Sequence, residues 1–165
     1  MRAAKVRDAA YRMRHHVLNM GEAQGQGYVG QALGAADMLA TVYADQLRYR
    51  ADDPHWDGRD RFLLSTGHYA IGLYAALAAA GIIEVAELDT YGSDESRLPM
   101  SGMASYTPGM EISGGSLGHG LAVAVAWRWA CDTRETAPGS STSCPTANST
   151  RVRRGRQRWA LRITR

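Results

Sequence analysis

Seven consecutive residues, Gly114-Gly115-Ser116-Leu117-Gly118-His119-Gly120, concentrate the capacity for chemistry in this chain, and they open directly onto the apolar run Leu121-Ala122-Val123-Ala124-Val125-Ala126. Four glycines allow the backbone to turn at positive φ and let a ligand approach the main chain where no Cβ intervenes. A helix starting there points unpaired N–H groups and the positive end of its dipole at the loop, which makes an anion site, most often for phosphate. A plain loop with a helix cap fits the same composition, because a lone glycine-rich segment is a weak signal.

A second candidate is His68, at the carboxyl end of the apolar run Arg61-Phe62-Leu63-Leu64-Ser65 and at the start of a helical stretch. Ligands of open α/β sheets bind outside the carboxyl ends of strands, where an imidazole can donate to a phosphate oxygen. On position alone, a capping or core histidine is the plainer reading. Other candidates are weaker. His15 and His16 are adjacent and so face different ways on a helix, making a poor metal pair. Cys131 and Cys144 lack the close partners of a zinc site. Met100, Met103 and Met110 read as packing residues. No nucleophile–base pair, metal-carboxylate cluster or Walker motif stands out.

These residues must be positioned by the elements around them. Val6, Ala10, Met13, Val17 and Met20 recur at helical spacing and predict a helix over residues 4–20, ending near Gly21. Gly25, Gly27 and Gly30 make a loop around Tyr28, and a second helix is expected over 34–49. Residues 61–65 read as a buried parallel strand feeding an alanine-rich helix over 69–80, closed by Gly81. A short acidic helix over 84–91 and a long irregular segment over 92–113 follow. Long structureless segments in compact domains are usually functional.

The 165 residues suit one domain with a proper core. The stretch 70–83 is broken by Gly72 and Gly81 and is too short to span a bilayer. The basic N-terminus lacks the apolar region of a signal peptide, so the expected location is cytoplasmic. Charge divides the chain. Residues 1–126 hold ten basic against fourteen acidic residues, whereas 127–165 hold nine Arg against Asp132 and Glu135. Both cysteines and three of the four tryptophans also lie in that tail.

Three segments together carry a family resemblance: Gly34-Ala35-Ala36-Asp37-Met38-Leu39; Arg59 through His68, with its Ser65-Thr66-Gly67-His68 end; and Pro108-Gly109-Met110-Glu111-Ile112-Ser113 running into the glycine loop through Gly120. In order and spacing, residues 6–126 resemble the start of a transketolase, in particular the N-terminal subunit of the split, two-chain type. The resemblance implies an α/β thiamine diphosphate-binding fold, a parallel sheet flanked by helices and incomplete at its C-terminal side. It also implies transfer of a two-carbon ketol unit between sugar phosphates, with a companion C-terminal subunit in a homo- or hetero-oligomer. The related thiamine diphosphate chemistry of deoxyxylulose phosphate synthesis is the alternative. By position, His68 would contact the cofactor diphosphate, and Gly115, Ser116, Leu117 and Gly118 would lie along the cofactor. Where the family places substrate-assisting histidines, this chain has Tyr28 and Ser101, and His119 replaces a glutamine. A phenol or hydroxyl can hydrogen-bond but does not titrate near neutrality as imidazole does. An unusual, even branched, donor ketose is therefore expected.

The family pattern stops after Ala126. The aspartate and asparagine that hold Mg²⁺ against the diphosphate have no counterpart in this chain. Back-translation of residues 145–159, with each codon begun one nucleotide earlier, permits S-D-G-E-L-D-E-G-S-T-W-E-A-A-M, the family's metal-binding segment. The same shift over residues 127–133 permits a continuation of the preceding helix. Residues 127–165 are accordingly expected to be an out-of-frame, disordered tail, leaving the chain inactive and poorly stable by itself. A genuine basic arm binding nucleic acid through Arg151, Arg153, Arg154, Arg156 and Arg158 is the non-enzymatic alternative.

Overall fold

The computed structural model describes residues 2–136 and 160–163. Its elements are α1 (Arg2–Gln24), α2 (Val29–Thr41) ending in a π-helical turn (Val42–Gln46), β1 (Arg61–Leu64) and a 3-10 turn (Gly67–Tyr69) running into α3 (Ala70–Ala79). A second 3-10 turn (Val85–Thr90), α4 (His119–Thr136) and β2 (Ala160–Ile163) complete them.

The core is built around α3. Its alanines favour helix, and a helix apolar on every side must be covered on every side. Residues 70–78 are all buried. The face of α1 carrying Met13, Val17 and Met20 and the face of α2 carrying Ala32, Ala36 and Leu39 are buried with it. Small residues set the approach of α2 to α3: a Cβ on Gly72 would stand 3.3 Å from the Ala32 Cβ and the Leu39 Cδ1. Past the end of α3, Gly81 takes φ +75°. Gly81 N–H then donates to the Ala78 carbonyl and Ile82 N–H to the Leu77 carbonyl, satisfying orphan carbonyls of the last turn.

The local expectations hold for the strand, the helix after it and the irregular 92–113 segment; the element boundaries differ. The first helix continues through Gly21 to Gln24, and the second begins at Val29, five residues before the expected start. The acidic 84–91 segment tightens to a 3-10 turn. The expected parallel pairing of β1 is corrected. Among the described residues its partner is β2, antiparallel, with Arg61 opposite Ile163 and Leu64 opposite Ala160. A lone buried strand leaves rows of N–H and C=O groups unsatisfied, and segment 160–163 covers one edge. Nor does position 126 mark a structural break, because α4 continues to Thr136. The rest of the expected disordered tail, 137–159 and 164–165, lies outside the described residues.

Three loops are stitched together through glycine backbones. Gly102 N–H donates to the Gly67 carbonyl at 3.3 Å, and Gly114 N–H to the Gly102 carbonyl at 2.6 Å. Gly67 and Gly114 pack main chain against main chain: a Cβ on Gly114 would fall 2.1 Å from the Gly67 Cα, and one on Gly67 would fall 2.7 Å from the Gly114 Cα. The start of α4 is pinned in turn to the end of β1 by Gly120 N–H donating to Ser65 Oγ at 3.1 Å.

Gly114→Ala should cost about 3 kcal/mol in urea unfolding, because the obstruction is backbone that cannot rotate aside. Gly34→Ala, at a helical site with open space around the added methyl, should instead stabilise by about 0.5–1 kcal/mol. Half-buried His16 adds a pH dependence. Its pKa is lowered by desolvation, then by the charges of His15 and Arg12. The folded state therefore binds fewer protons than the unfolded one, and this contribution is fully present above about pH 6.5 and lost as the pH falls through the lower folded value. A melting-temperature series over pH 5–8 should show a smaller acid loss in His16→Gln.

Candidate cofactor-binding site

The end of β1 delivers His68 to the start of α3, where its half-buried ring meets the edge of Tyr28 at a centroid distance of 5.2 Å. Tyr69 lies on another side of the imidazole, 4.8 Å away. Tyr28 directly precedes α2 and is half-exposed. The Ser101 hydroxyl sits over Gly67, 2.8 Å from where a Cβ would stand. Tyr28, His68 and Ser101, 73 positions apart at the extremes, thus converge on one spot.

The glycine loop arrives at the same place through Gly114. Beyond it, Gly115, Ser116, Leu117 and Gly118 are exposed, and added Cβ atoms at Gly115 and Gly118 would meet nothing within 4 Å. Gly118 adopts φ +88°, a conformation that favours glycine. His119, first residue of α4, turns its Nδ1 back onto the Ser116 carbonyl. Of the three expected substrate-facing residues, Tyr28 therefore stands against His68 and Ser101 over Gly67, while His119 closes the glycine loop.

Two polar groups escaped the sequence reading. Among the described residues, the buried side-chain polar atoms without a hydrogen-bond partner are Thr66 Oγ1 and Tyr91 Oη. Leaving such a group unsatisfied costs about 1–3 kcal/mol, so each calls for an explanation. Thr66 neighbours Gly67 and His68 in sequence, a position from which it could have been found. Tyr91 had no local signal. Burial, with the nearby Tyr28, pushes its phenol pKa up, so it remains a neutral donor.

An ionic clamp supports the loop from behind. Arg59 grips Glu111 with two bonds, Nε to Oε1 at 2.7 Å and Nη2 to Oε2 at 3.0 Å, and Arg61 adds a third at 2.9 Å. The Glu111 side chain is only 8% exposed. Its partners matter more than its charge, since stranding one member of a buried pair costs about 3–5 kcal/mol. Both arginines and Glu111 belong to segments that carried the resemblance, although spacing alone gave them no role. Arg61 also lies under the Trp127 ring, 5.4 Å from its centroid.

An open, glycine-lined loop beside a histidine and an orphan hydroxyl fits the diphosphate end of a cofactor. For the metal, among the described residues no group of three His, Cys, Asp or Glu side chains is placed to hold an ion. Among them, too, no helix is long and apolar enough to cross a membrane.

Comparison with known proteins identifies the family and the fold. Residues 6–140 match the family described as transketolase, thiamine diphosphate binding domain. A transketolase family protein of Sinorhizobium fredii is 69% identical over 118 residues, covering 72% of this chain and 42% of the relative. The Mycobacterium tuberculosis transketolase is 38% identical over 102 residues, 61% of this chain and 15% of that protein. Among solved structures, the Leishmania mexicana transketolase superposes with a TM-score of 0.72 at 30% identity, over 80% of this chain and 20% of its own. The Pichia stipitis transketolase, in complex with sedoheptulose 7-phosphate, gives 0.71 at 28%, over 78% and 20%. The chain thus spans less than half the length of these relatives. It has the α/β thiamine diphosphate-binding fold and belongs to the transketolase family, as part of that family's thiamine diphosphate-binding domain.

Proposed function

We propose that this chain supplies the diphosphate grip of a cytoplasmic enzyme that transfers a two-carbon ketol unit between sugar phosphates, together with a companion C-terminal subunit in a homo- or hetero-oligomer. The observation that carries the reading is the meeting of His68, Gly67 and Gly114 beside the open Gly115–Gly118 loop. His68 would donate an N–H to a diphosphate oxygen, Thr66 Oγ1 would add a hydroxyl donor, and the N-terminal end of α3 would contribute its dipole. Main-chain groups of Gly115, Ser116 and Leu117 would hold the cofactor, and Gly118 would let the loop turn. When bound, thiamine diphosphate supplies the carbon nucleophile and the electron sink, and the protein supplies orientation and electrostatics. Tyr28 and Ser101 would orient the sugar through their hydroxyls, in place of the histidines that the family has there. That points to a donor other than the usual pentose and hexose phosphates.

A Mg²⁺ ion on the diphosphate needs oxygen ligands. This chain lacks the aspartate and asparagine that serve there in the family, and the one-nucleotide shift would restore the aspartate segment. We therefore propose that the chain is inactive by itself and that the break arises from a frameshift near residues 125–127. The codons of the gene decide this: if they do not spell the shifted string, the frameshift is refuted.

Titration calorimetry with thiamine diphosphate and Mg²⁺, in the presence of the companion subunit, should give at least about tenfold tighter binding for the frame-restored chain than for the present one, about 1.4 kcal/mol. His68→Ala in the restored chain should lose a similar factor. Equal affinities in all three would reject the grip. Turnover of xylulose 5-phosphate by the restored enzyme at rates comparable to its best donor would reject the altered substrate pocket.

A further inference from the structure

The half-buried His68 imidazole stands between two aromatic rings from different parts of the chain. Tyr69, the next residue, is 8% exposed and forms a fixed wall 4.8 Å away, its plane at 59° to the imidazole. Tyr28 meets the imidazole edge to face at 5.2 Å and 61°. Its ring is 47% exposed, but its main chain is anchored. The preceding Gly27, at φ +134°, lies so close to α3 that a Cβ there would come within 3.3 Å of Ile71 Cδ1. The Tyr28 carbonyl accepts from Ala32 N–H at 3.1 Å in the first turn of α2. Among the described residues, no hydrogen bond or ion pair holds the His68 side chain, so the two rings set its orientation.

We propose that Tyr28 is a positioning residue for His68: its ring, closing against the Tyr69 wall, holds the imidazole in one orientation before a ligand arrives. The proposal rests on the reading of His68 as a donor to a diphosphate oxygen, and adds how that donor is aimed. A histidine that binds a ligand through one ring nitrogen is usually aimed by a hydrogen bond to the other. Here that device is missing, and the torsion that turns the ring is broad and two-fold. Packing between rings takes its place. An edge-to-face contact favours the packed orientation about two- to tenfold. The ring does this, not the hydroxyl, so the role is separable from any contact of the Tyr28 hydroxyl with a sugar. Phenylalanine keeps the first and removes the second.

Two measurements test the assignment. The first needs no ligand: diethyl pyrocarbonate acylates imidazoles, and mass spectrometry of the full chain reads each histidine separately. Tyr28→Ala should raise the His68 rate about threefold, and Tyr28→Phe should leave it unchanged. Half-buried His16 should change in neither variant. An unchanged His68 rate in Tyr28→Ala overturns the proposal, as does an equal rise at His16, which would report general loosening. The second is calorimetric titration of the frame-restored chain, with its companion subunit, using thiamine diphosphate and Mg²⁺. Tyr28→Ala should weaken binding about three- to tenfold, and Tyr28→Phe should not. In a His68→Ala background, Tyr28→Ala should cost nothing further, because a residue that acts through His68 has nothing left to position. The same loss in both backgrounds, or in the Phe variant, overturns the proposal while leaving the grip intact. Failure of the grip looks different: His68→Ala alone then costs nothing, and the positioning role falls with it.

Discussion

The contact between the Gly67 and Gly114 main chains is the constraint on which the rest of the structure depends. Two backbones this close exclude any side chain on either partner, and they bring the start of α3 against the root of the glycine loop. The bonds from Gly114 to Gly102 and from Gly102 to Gly67 extend the contact to the segment that carries Ser101. A loop that stayed mobile would have to be ordered at about 1–2 kcal/mol per residue. Here its base is fixed by packing, and the crest, Gly115 to Gly118, is exposed.

The framework around that contact is rigid for separable reasons. From within, α3 is covered on all sides, so the residues that follow β1 have a fixed floor. From behind, the Arg59–Glu111–Arg61 clamp ties the approach to the loop to the start of the strand. It is mostly desolvated, which sets it apart from surface pairs such as Arg14 with Asp37, equally bidentate but exposed, where water weakens the attraction. Thr66 Oγ1 and Tyr91 Oη stay buried within this framework without a hydrogen-bond partner.

Much of this was legible in the chain because it is local. A short apolar run ending in Ser65-Thr66-Gly67-His68 and followed by alanines encodes strand, turn and helix within twenty residues, and the glycines of 114–120 announce a loop that exposes its main chain. Helix boundaries were less legible. Gly30 and Gly34 look like breakers, yet α2 begins at Val29, because packing its alanines on α3 outweighs the intrinsic cost of glycine. The parallel partner expected for β1 was an inference from its apolar run and the helix that follows it. The described partner is antiparallel, supplied by residues 160–163, and no periodicity in a four-residue strand encodes its neighbour.

By itself, then, the sequence determined a glycine-rich loop, the strand and turn that carry His68 and the family to which they belong, since each is written in consecutive residues with fixed spacing. Tertiary structure alone decided which of those residues meet. Tyr28 touches His68 across forty positions, Ser101 settles over Gly67, His119 turns inward to its own loop, and Tyr91 stops beneath Gly27 without a partner. Such contacts depend on how helices pack and where loops close. These are sums over many weak, nonlocal interactions that no single stretch of sequence contains.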